Sequence, residues 1–197
     1  MIAIVDLGVG NFANVGKAVG GTITDDPKRV AEADRIVLPG VGNFGEVARK
    51  LKPLREALLR QISAGTPFLG ICLGAQLLFQ SSEEEEGQGL GILKGKVVKL
   101  PEAAAPHIGW NRVNFREDFP LFRGIEDESY FYFVHSYRVK PEAAAPVAAT
   151  TNYAVNGKVK QFPSAVRRGN TFGVQFHPEK SGEVGLRIMK NFKELKL

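Results

Sequence analysis

Short apolar runs alternate with amphipathic segments along the first half of the chain. The runs with the length and composition of buried strands lie at residues 2–5, 35–38 and 67–71. The segments with a helical pattern lie at residues 11–19, 44–64 and 73–79. Pro53 interrupts the second of these, because proline lacks the backbone N–H that a helix interior requires. The alternation predicts a parallel sheet that helices cover on both faces.

A different pattern begins after residue 92. Short segments rich in Val, Phe and Tyr, separated by turns, lie at residues 96–100, 108–115, 130–139, 147–153, 158–161 and 171–176. A last helix is predicted over residues 181–195, with Ser181 in the N-cap position and Glu183 in the first turn. We therefore expect an α/β fold with an open, mixed, largely parallel sheet flanked by helices. Additional antiparallel strands lie in the second half, and residues 1–197 form a single domain.

Composition narrows the class of protein. The chain has 197 residues, of which 44% are apolar and 24% charged, and this suits a globular domain with a sizeable core. The net charge is +5, but the basic residues occur singly or in pairs such as Arg167 and Arg168, so no nucleic-acid partner is expected. No apolar stretch reaches the roughly eighteen residues of a membrane span. One cysteine allows no intrachain disulfide, so we expect a cytoplasmic protein that binds no membrane.

The sharpest local signal is the string GICLG at residues 70–74. A G-x-C-x-G between an apolar strand and a helix is typical of a tight turn that projects a nucleophile above the sheet. The thiol of Cys72 would then lie at a helix N-terminus, which favours thiolate, and the N–H of Leu73 would face a developing oxyanion. A lone cysteine is otherwise most often a small buried hydrophobe. The two flanking glycines favour the nucleophile.

A nucleophilic thiol needs a base, and three histidines are candidates. His107 lies in the string PHIGWN, and His135 lies within an aromatic strand pattern, where a structural role is favoured. His177 ends a strand and precedes a proline, which drives it into extended geometry, so its side chain and that of Glu179 project to the same side. Glu179 can then accept a hydrogen bond from the imidazole and fix its tautomer. These residues predict a triad of Cys72, His177 and Glu179.

A glycine-rich loop, PGVGN at residues 39–43, follows the second core strand. Its position at the carboxyl end of a strand suits a second oxyanion donor. The same region matches G-x-G-x-x-G, and residues 8–13 match the G-x-G-x-x-A variant, so a dinucleotide-binding oxidoreductase is an alternative. We rank it lower, because two such fingerprints exceed the needs of one cofactor and leave GICLG unexplained. One Cys and three dispersed His give no zinc-site spacing, so no metal and no cofactor are expected.

These strings resemble the signatures of class I glutamine amidotransferases. GICLGAQLLF around Cys72 and QFHPEKS around His177 are similar to the two motifs of that family, whose triad is Cys, His and Glu in this order. The strings LPGVGNF, PHIGWN, YFVHSYR and DLGVGN are similar to motifs of the branch of this family that serves histidine biosynthesis. The glutaminase of vitamin B6 synthesis is an alternative with the same fold, and PHIGWN and YFVHSYR argue against it. Ala75 departs from the branch, which commonly has Met there.

The resemblance implies that Cys72 attacks the side-chain amide of glutamine and forms a thioester. It implies that the N–H groups of Leu73 and Val41 hold the oxyanion. The residues it implies for glutamine binding are Gly40, Gly42, Gln76, Glu84, His135, Ser136 and Tyr137.

The resemblance also implies a heterodimer with a cyclase of (β/α)8 barrel fold. Ammonia released into water at neutral pH becomes ammonium, which is not nucleophilic, so it must reach its acceptor inside protein. The family pattern places four residues near the docking face: Asn11, Trp110, Tyr132 and Lys180. We expect slow glutamine hydrolysis by the isolated chain and acceleration by the partner, because idle hydrolysis wastes glutamine.

Overall fold

The computed structural model describes residues 1–144 and 146–195 of the chain. Its strands are β1 (Ile2–Val5), β2 (Thr22–Thr24), β3 (Arg35–Gly40), β4 (Phe68–Cys72), β5 (Ser81–Ser82), β6 (Gly95–Lys99), β7 (His107–Arg112), β8 (Asn114–Phe115), β9 (Tyr130–His135), β10 (Tyr137–Pro141), β11 (Val147–Val155), β12 (Lys158–Arg168) and β13 (Thr171–Val174). Its α-helices are α1 (Phe12–Val19), α2 (Pro27–Ala31), α3 (Phe44–Leu51), α4 (Arg55–Ser63), α5 (Leu73–Gln76) and α6 (Gly182–Lys193). Short 3-10 turns lie at Lys52–Leu54, Glu102–Ala104, Pro120–Phe122 and Pro178–Lys180.

The main sheet has eight strands in the order β2-β1-β3-β4-β13-β12-β11-β8. The strands from β2 to β13 in that order pair in parallel, and β12, β11 and β8 continue the sheet in antiparallel pairs. A three-stranded sheet, β10-β6-β5, and a two-stranded sheet, β7-β9, complete the strand pairing. The expectation of a mixed, largely parallel sheet with helices around it and antiparallel strands in the second half is confirmed.

The central parallel strands of the main sheet, β1, β3, β4 and β13, are buried on both faces. Successive residues of one strand join opposite hydrophobic clusters, as Ile4 does on one face and Ala3 on the other. Helices α1 and α6 pack on the first face, and helices α2, α3 and α4 pack on the second. This arrangement explains why the core strands are continuous apolar runs without polar alternation. Among the described residues, no helix combines the length and hydropathy needed to cross a membrane.

The parallel pairing brings three chain segments to one edge of the sheet. Gly40, the last residue of β3, lies opposite Cys72, the last residue of β4. On the other side of β4, Ile71 lies opposite Val174, the last residue of β13. The residues that follow these strand ends therefore meet at the carboxyl edge, where open α/β sheets bind their ligands.

Several element boundaries differ from the pattern in the sequence. The break at Pro53 is confirmed, since α3 ends at Leu51 and a 3-10 turn precedes α4. The predicted helix over 73–79 ends at Gln76, because the carbonyls of Leu77 and Leu78 instead accept hydrogen bonds from the returning chain at residues 90–93.

Two further differences concern strands and a short helix. The predicted strand over 130–139 is two strands, since the chain passes at Ser136 from the sheet with β7 to the sheet with β6. Strand β2 and helix α2, with three and five residues, were not predicted. Asp26 caps α2 through a hydrogen bond to the N–H of Lys28, and Pro27 begins the helix, so local signals for this helix were present.

Candidate active site

Cys72 occupies a strained turn between β4 and α5. Its φ of 53° and ψ of −108° lie in a region that residues with a side chain rarely adopt. A Cβ added to Gly74 would collide with the carbonyl oxygen of Leu38, and one added to Gly70 would collide with the carbonyl of Gly74. The glycines of GICLG are therefore required by close backbone approach. The turn has the form of a nucleophile elbow.

His177 and Glu179 form a buried pair beside this elbow. His177 follows β13, and the 3-10 turn Pro178–Lys180 carries Glu179. The Nδ1 atom of His177 lies 2.9 Å from Oε1 of Glu179, and each side chain is 2% exposed. The backbone N–H of His177 donates to the carbonyl of Tyr132 at 2.8 Å, which fixes the turn against β9.

The surroundings of His177 favour its protonated form. Burial lowers the pKa of His177, but the side chains of Cys72 and Glu179 outweigh burial and raise the pKa to about 10. Within the described part of the chain, the Nε2 atom makes no hydrogen bond. Cys72 therefore lies close enough to the imidazole to stabilise its charged form. This arrangement suits a positively charged imidazolium beside the sulfur of Cys72.

Ser181 has a role that the sequence did not indicate. It stands at the N-cap position of α6, but its side chain makes no capping hydrogen bond, so the expected cap is wrong. Its hydroxyl instead donates to the carbonyl of His177 at 2.6 Å and accepts from the N–H of Tyr132 at 3.0 Å. Ser181 thus joins β9 to the turn that carries the histidine.

A cavity of about 320 Å³ opens at Cys72. This volume lies at the lower end of the range for small-molecule sites, of the order of 300–1,000 Å³. The lining residues that the sequence had indicated are Val41, Gly42, Cys72, Leu73, Gln76, Glu84, His135, Ser136 and Tyr137. Pro106 and Val134 also line the cavity and had not been indicated. Gly40 lies outside the lining and is the sheet neighbour of Cys72.

The glycine loop borders the cavity at the nucleophile. A Cβ on Gly40 would lie 3.2 Å from the backbone nitrogen of Gly74, so the loop passes close to the elbow. Val41 is 38% exposed at the cavity wall, and Gly42 has a φ of 104° that favours glycine. The backbone of Val41 and that of Leu73, the first residue of α5, therefore both border the cavity that opens at Cys72.

Two buried glutamines connect the cavity wall with the sulfur. Gln76 donates from Nε2 to the carbonyl of Tyr137 at 3.0 Å and to Oε1 of Gln175 at 3.1 Å. Gln175 then donates from Nε2 to Sγ of Cys72 at 3.6 Å. Gln175 was missed from the sequence, although it opens the QFHPEKS string. It is the second residue before His177, on a strand end where alternate residues share a side.

His107 and His135 form a neutral pair behind the cavity wall. Burial lowers the pKa of His135 to about 3, although its bond to the carbonyl of Tyr137 opposes this, and burial also lowers the pKa of His107. Nδ1 of His135 donates to that carbonyl at 2.8 Å, so its Nε2 accepts from Nδ1 of His107 at 3.1 Å. Nε2 of His107 then accepts from Nδ2 of Asn111 at 3.1 Å. A structural role within the strands accounts for both histidines, and His135 also reaches the cavity.

The outer face of the β7-β9 sheet carries an exposed aromatic surface. Ile108, Trp110 and Tyr130 are 60%, 56% and 50% exposed. Tyr132 lies opposite Trp110 in the pairing, with the ring centroids 6.0 Å apart, and Lys180 Nζ lies 5.7 Å from the Tyr132 ring centroid.

This aromatic surface and the cavity share strand β9. Val134 lines the cavity, and its carbonyl lies 3.9 Å from Sγ of Cys72. Asn11 precedes α1, which packs against the turn that contains Lys180. The four residues implied for docking therefore lie around the elements that hold the nucleophile and the imidazole.

The fold and this site fit one family. The model of the family described as glutamine amidotransferase class-I matches residues 19–195 of the chain. The chain therefore belongs to the class I glutamine amidotransferase family.

Its relatives identify a branch within that family. The chain is 56% identical to the imidazole glycerol phosphate synthase subunit HisH of Thermococcus kodakarensis, over 99% of this chain and 100% of the relative. It is 55% identical to the subunit of the same name from Pyrococcus furiosus, over 98% of both chains. The solved structure of PurLQS from Thermotoga maritima shares the fold, with a TM-score of 0.74 at 20% identity over 97% of this chain and 96% of that one. The chain lies in the branch of these synthase subunits, which decides against both alternative interpretations.

Proposed function

We propose that this chain is the glutaminase subunit of an imidazole glycerol phosphate synthase. It hydrolyses glutamine to glutamate and ammonia and delivers the ammonia to a cyclase partner. The cyclase makes imidazole glycerol phosphate and an aminoimidazole carboxamide ribonucleotide in histidine biosynthesis. The observation that carries the proposal is the strained Cys72 elbow beside the buried His177–Glu179 pair at the mouth of a cavity. Residues 1–197 act as one glutamine amidotransferase domain in the cytoplasm.

The first chemical step is attack on the glutamine side chain. The sulfur of Cys72 adds to the amide carbon, and the carbonyl oxygen becomes an oxyanion. The backbone N–H groups of Leu73 and Val41 stabilise this oxyanion, because preformed donors interact more strongly with the negative oxygen than with the neutral carbonyl. Loop geometry at Val41 therefore controls the rate of attack.

His177 carries the proton through both halves of the reaction. Its raised pKa keeps the imidazolium available at neutral pH. The imidazolium protonates the departing nitrogen, so the carbon–nitrogen bond breaks and ammonia and a thioester form. The neutral imidazole then takes a proton from water, which attacks the thioester and releases glutamate. Glu179 holds Nδ1 and stabilises the imidazolium each time it forms.

The remaining lining residues bind the glutamine. Of the described residues that line the cavity, Glu84 alone has a carboxylate, and this group binds the α-ammonium group. Both protons of the Gln76 amide are donated within the protein, so Gln76 offers its oxygen to the substrate. The remaining contacts to the substrate come from Gly42, His135, Ser136 and Tyr137, while Gly40 permits the loop to approach the elbow.

The partner is a cyclase of (β/α)8 barrel fold that docks on the aromatic surface and forms a heterodimer. Trp110 and Tyr132 supply apolar area and Lys180 a positive charge, with Asn11 at the margin. Aromatic residues with a charged neighbour are typical of interface centres. Because β9 contributes to both this surface and the cavity, a docked partner receives ammonia close to where it forms.

The test combines labelling with assays. A glutamine analogue that carries an electrophile should label Cys72 irreversibly, and the labelled protein should release no glutamate. The cyclase with its ligand should accelerate glutamate release by the wild-type chain. A Cys72→Ala protein that still released glutamate at the wild-type rate would contradict the proposed reaction.

A further inference from the structure

Polar groups of opposite character lie on two sides of the Cys72 sulfur. The carbonyl of Val134, at 3.9 Å, can only accept a hydrogen bond and therefore favours the protonated thiol. The side-chain amide of Gln175, at 3.6 Å, presents an N–H donor and therefore favours the thiolate. The second group is the one that helps a nucleophile, because the thiolate is the reactive form.

The orientation of the Gln175 amide is fixed by its neighbours. An amide can rotate by half a turn and exchange its oxygen with its nitrogen, and an oxygen facing the sulfur would repel a thiolate. The backbone carbonyl of Tyr137 accepts hydrogen bonds only, so Gln76 must present its nitrogen there. The second proton on that nitrogen goes to Oε1 of Gln175. Gln175 therefore has to turn its own N–H toward Cys72.

Burial gives these contacts their electrostatic effect. Gln175 is 2% exposed and Gln76 is 4% exposed, so little water competes for their hydrogen bonds. Gln175 is not part of the cavity lining, and it contacts the sulfur from the protein side. Its effect on the reaction is therefore separable from glutamine binding.

We propose that Gln175 is a thiolate-stabilising residue of this site, whose N–H is directed at Cys72 by Gln76 and the Tyr137 carbonyl. The inference rests on the proposed glutaminase function. The proposal assigns part of the stabilisation of the Cys72 thiolate to a buried amide, whereas the sequence motifs assign this stabilisation to His177 alone. The groups near the sulfur that titrate or carry charge are His177 after β13, His135 on β9 and Glu84 across the cavity.

The experiment measures how fast chloroacetamide alkylates Cys72 as a function of pH, followed by mass spectrometry on the full chain without glutamine. Gln175→Met keeps the length of the side chain and removes the N–H. The midpoint of the alkylation profile should rise by about one pH unit, so alkylation at a pH well below both midpoints should be about tenfold slower. Gln175→Glu places a carboxylate oxygen at the sulfur and should raise the midpoint further. Glutaminase kcat should fall in both variants by a larger factor than the KM for glutamine changes.

The control is Gln161→Met, since Gln161 is an exposed glutamine that donates to the side chain of Asn152 at 3.2 Å. Its alkylation profile should match that of the wild type. An unchanged midpoint in folded Gln175→Met or in folded Gln175→Glu would overturn the inference. Loss of the fold in both variants would also overturn it, because the amide would then have a purely structural role. Labelling of wild-type Cys72 by the electrophilic glutamine analogue would still support the proposed function in either case.

Discussion

The carboxylate of Glu84 accepts a 2.7 Å hydrogen bond from the backbone N–H of Phe44. Phe44 is the first residue of α3 and directly follows the glycine loop that contains Val41. Because Glu84 also lines the cavity, one carboxylate belongs to the proposed glutamine site and holds the end of the loop that carries the proposed oxyanion donor. Substrate binding and loop position are therefore expected to depend on each other.

Two substitutions at Glu84 separate these roles. Glu84→Gln keeps an oxygen for Phe44 but loses the charge, so the KM for glutamine should rise about tenfold to a hundredfold with a small change in kcat. Glu84→Ala also releases the loop, so kcat should fall by a further factor of about ten. Steady-state assays with the cyclase measure both constants. Glu83→Ala, at an exposed residue paired with Lys96, is the control and should leave both constants unchanged. Equal kcat values in the two Glu84 variants would contradict the coupling.

The Val41 donor can be removed without changing the size of the cavity greatly. Val41→Pro has no backbone N–H, so kcat should fall about a hundredfold to a thousandfold. Val41→Ala keeps the N–H and should retain most of the activity. Chloroacetamide alkylation of Cys72 should be unaffected in both variants, which reports that the elbow is intact. Equal activities of the proline and alanine variants would place the second donor elsewhere.

We expect Glu179 to set the pH range of the proposed reaction. It is one of the two groups that raise the pKa of His177 to about 10, so Glu179→Gln should lower that pKa. The imidazolium would then lose its proton at lower pH, and the alkaline limb of kcat should move to lower pH. At neutral pH kcat should fall by a factor of about 10² to 10⁴. A reduced rate with an unmoved alkaline limb would show that Glu179 acts on position alone.

His135 gives a test of stability rather than of activity. Its pKa falls from 6.5 to about 3 in the folded state, so unfolding takes up a proton below pH 6.5. Its contribution is complete above pH 6.5 and is lost as the pH falls toward 3, which amounts to about 2 kcal/mol between pH 7.5 and pH 5. His135→Gln keeps a donor for the Tyr137 carbonyl and does not titrate. Urea unfolding should therefore show a smaller loss in the variant, and an equal loss would contradict the neutral state of His135.

The aromatic surface predicts where the cyclase binds. Trp110→Ala should weaken cyclase binding by a factor of about 30 or more, as expected for a central aromatic residue of an interface. Titration calorimetry or activation of the glutaminase by increasing cyclase measures this. Val159→Ala, at a residue 75% exposed on the β11-β12 hairpin, should leave the affinity unchanged. Equal cyclase affinities of the Trp110→Ala and Val159→Ala variants would show that the cyclase does not dock on the β7-β9 surface.

Local rules predict some parts of this molecule well. The elbow follows from glycines that must flank a tight turn, and the break between α3 and α4 follows from Pro53. The pairing of His177 with Glu179 was predicted from extended geometry before a proline; His177 is extended, and the 3-10 turn Pro178–Lys180 then brings Glu179 to it.

Other parts depend on contacts between distant segments. Nothing in the sequence near Gln175 indicates that it reaches Cys72, because that contact requires β13 and β4 to be neighbours in the sheet. Ser181 is of a residue type that commonly caps helices, but its hydroxyl instead accepts a hydrogen bond from the N–H of Tyr132 on β9. Helix α5 ends at Gln76 because residues 90–93 donate hydrogen bonds to the carbonyls that follow it. The hydrophobic periodicity of residues 73–79 contains no information about these distant donors.

The chain has one cysteine, and that residue is the nucleophile proposed here, 6% exposed at the cavity. A peroxide that enters the cavity forms a sulfenic acid at Cys72, and the chain offers no second thiol to capture it as a disulfide. The thiol is then restored only by a reductant that is small enough to enter the cavity. This has to happen before the sulfenic acid is oxidised further to the sulfinic acid, which is not reversible by thiols. Glutamine bound as proposed would fill that entrance and so keep peroxide away from the sulfur.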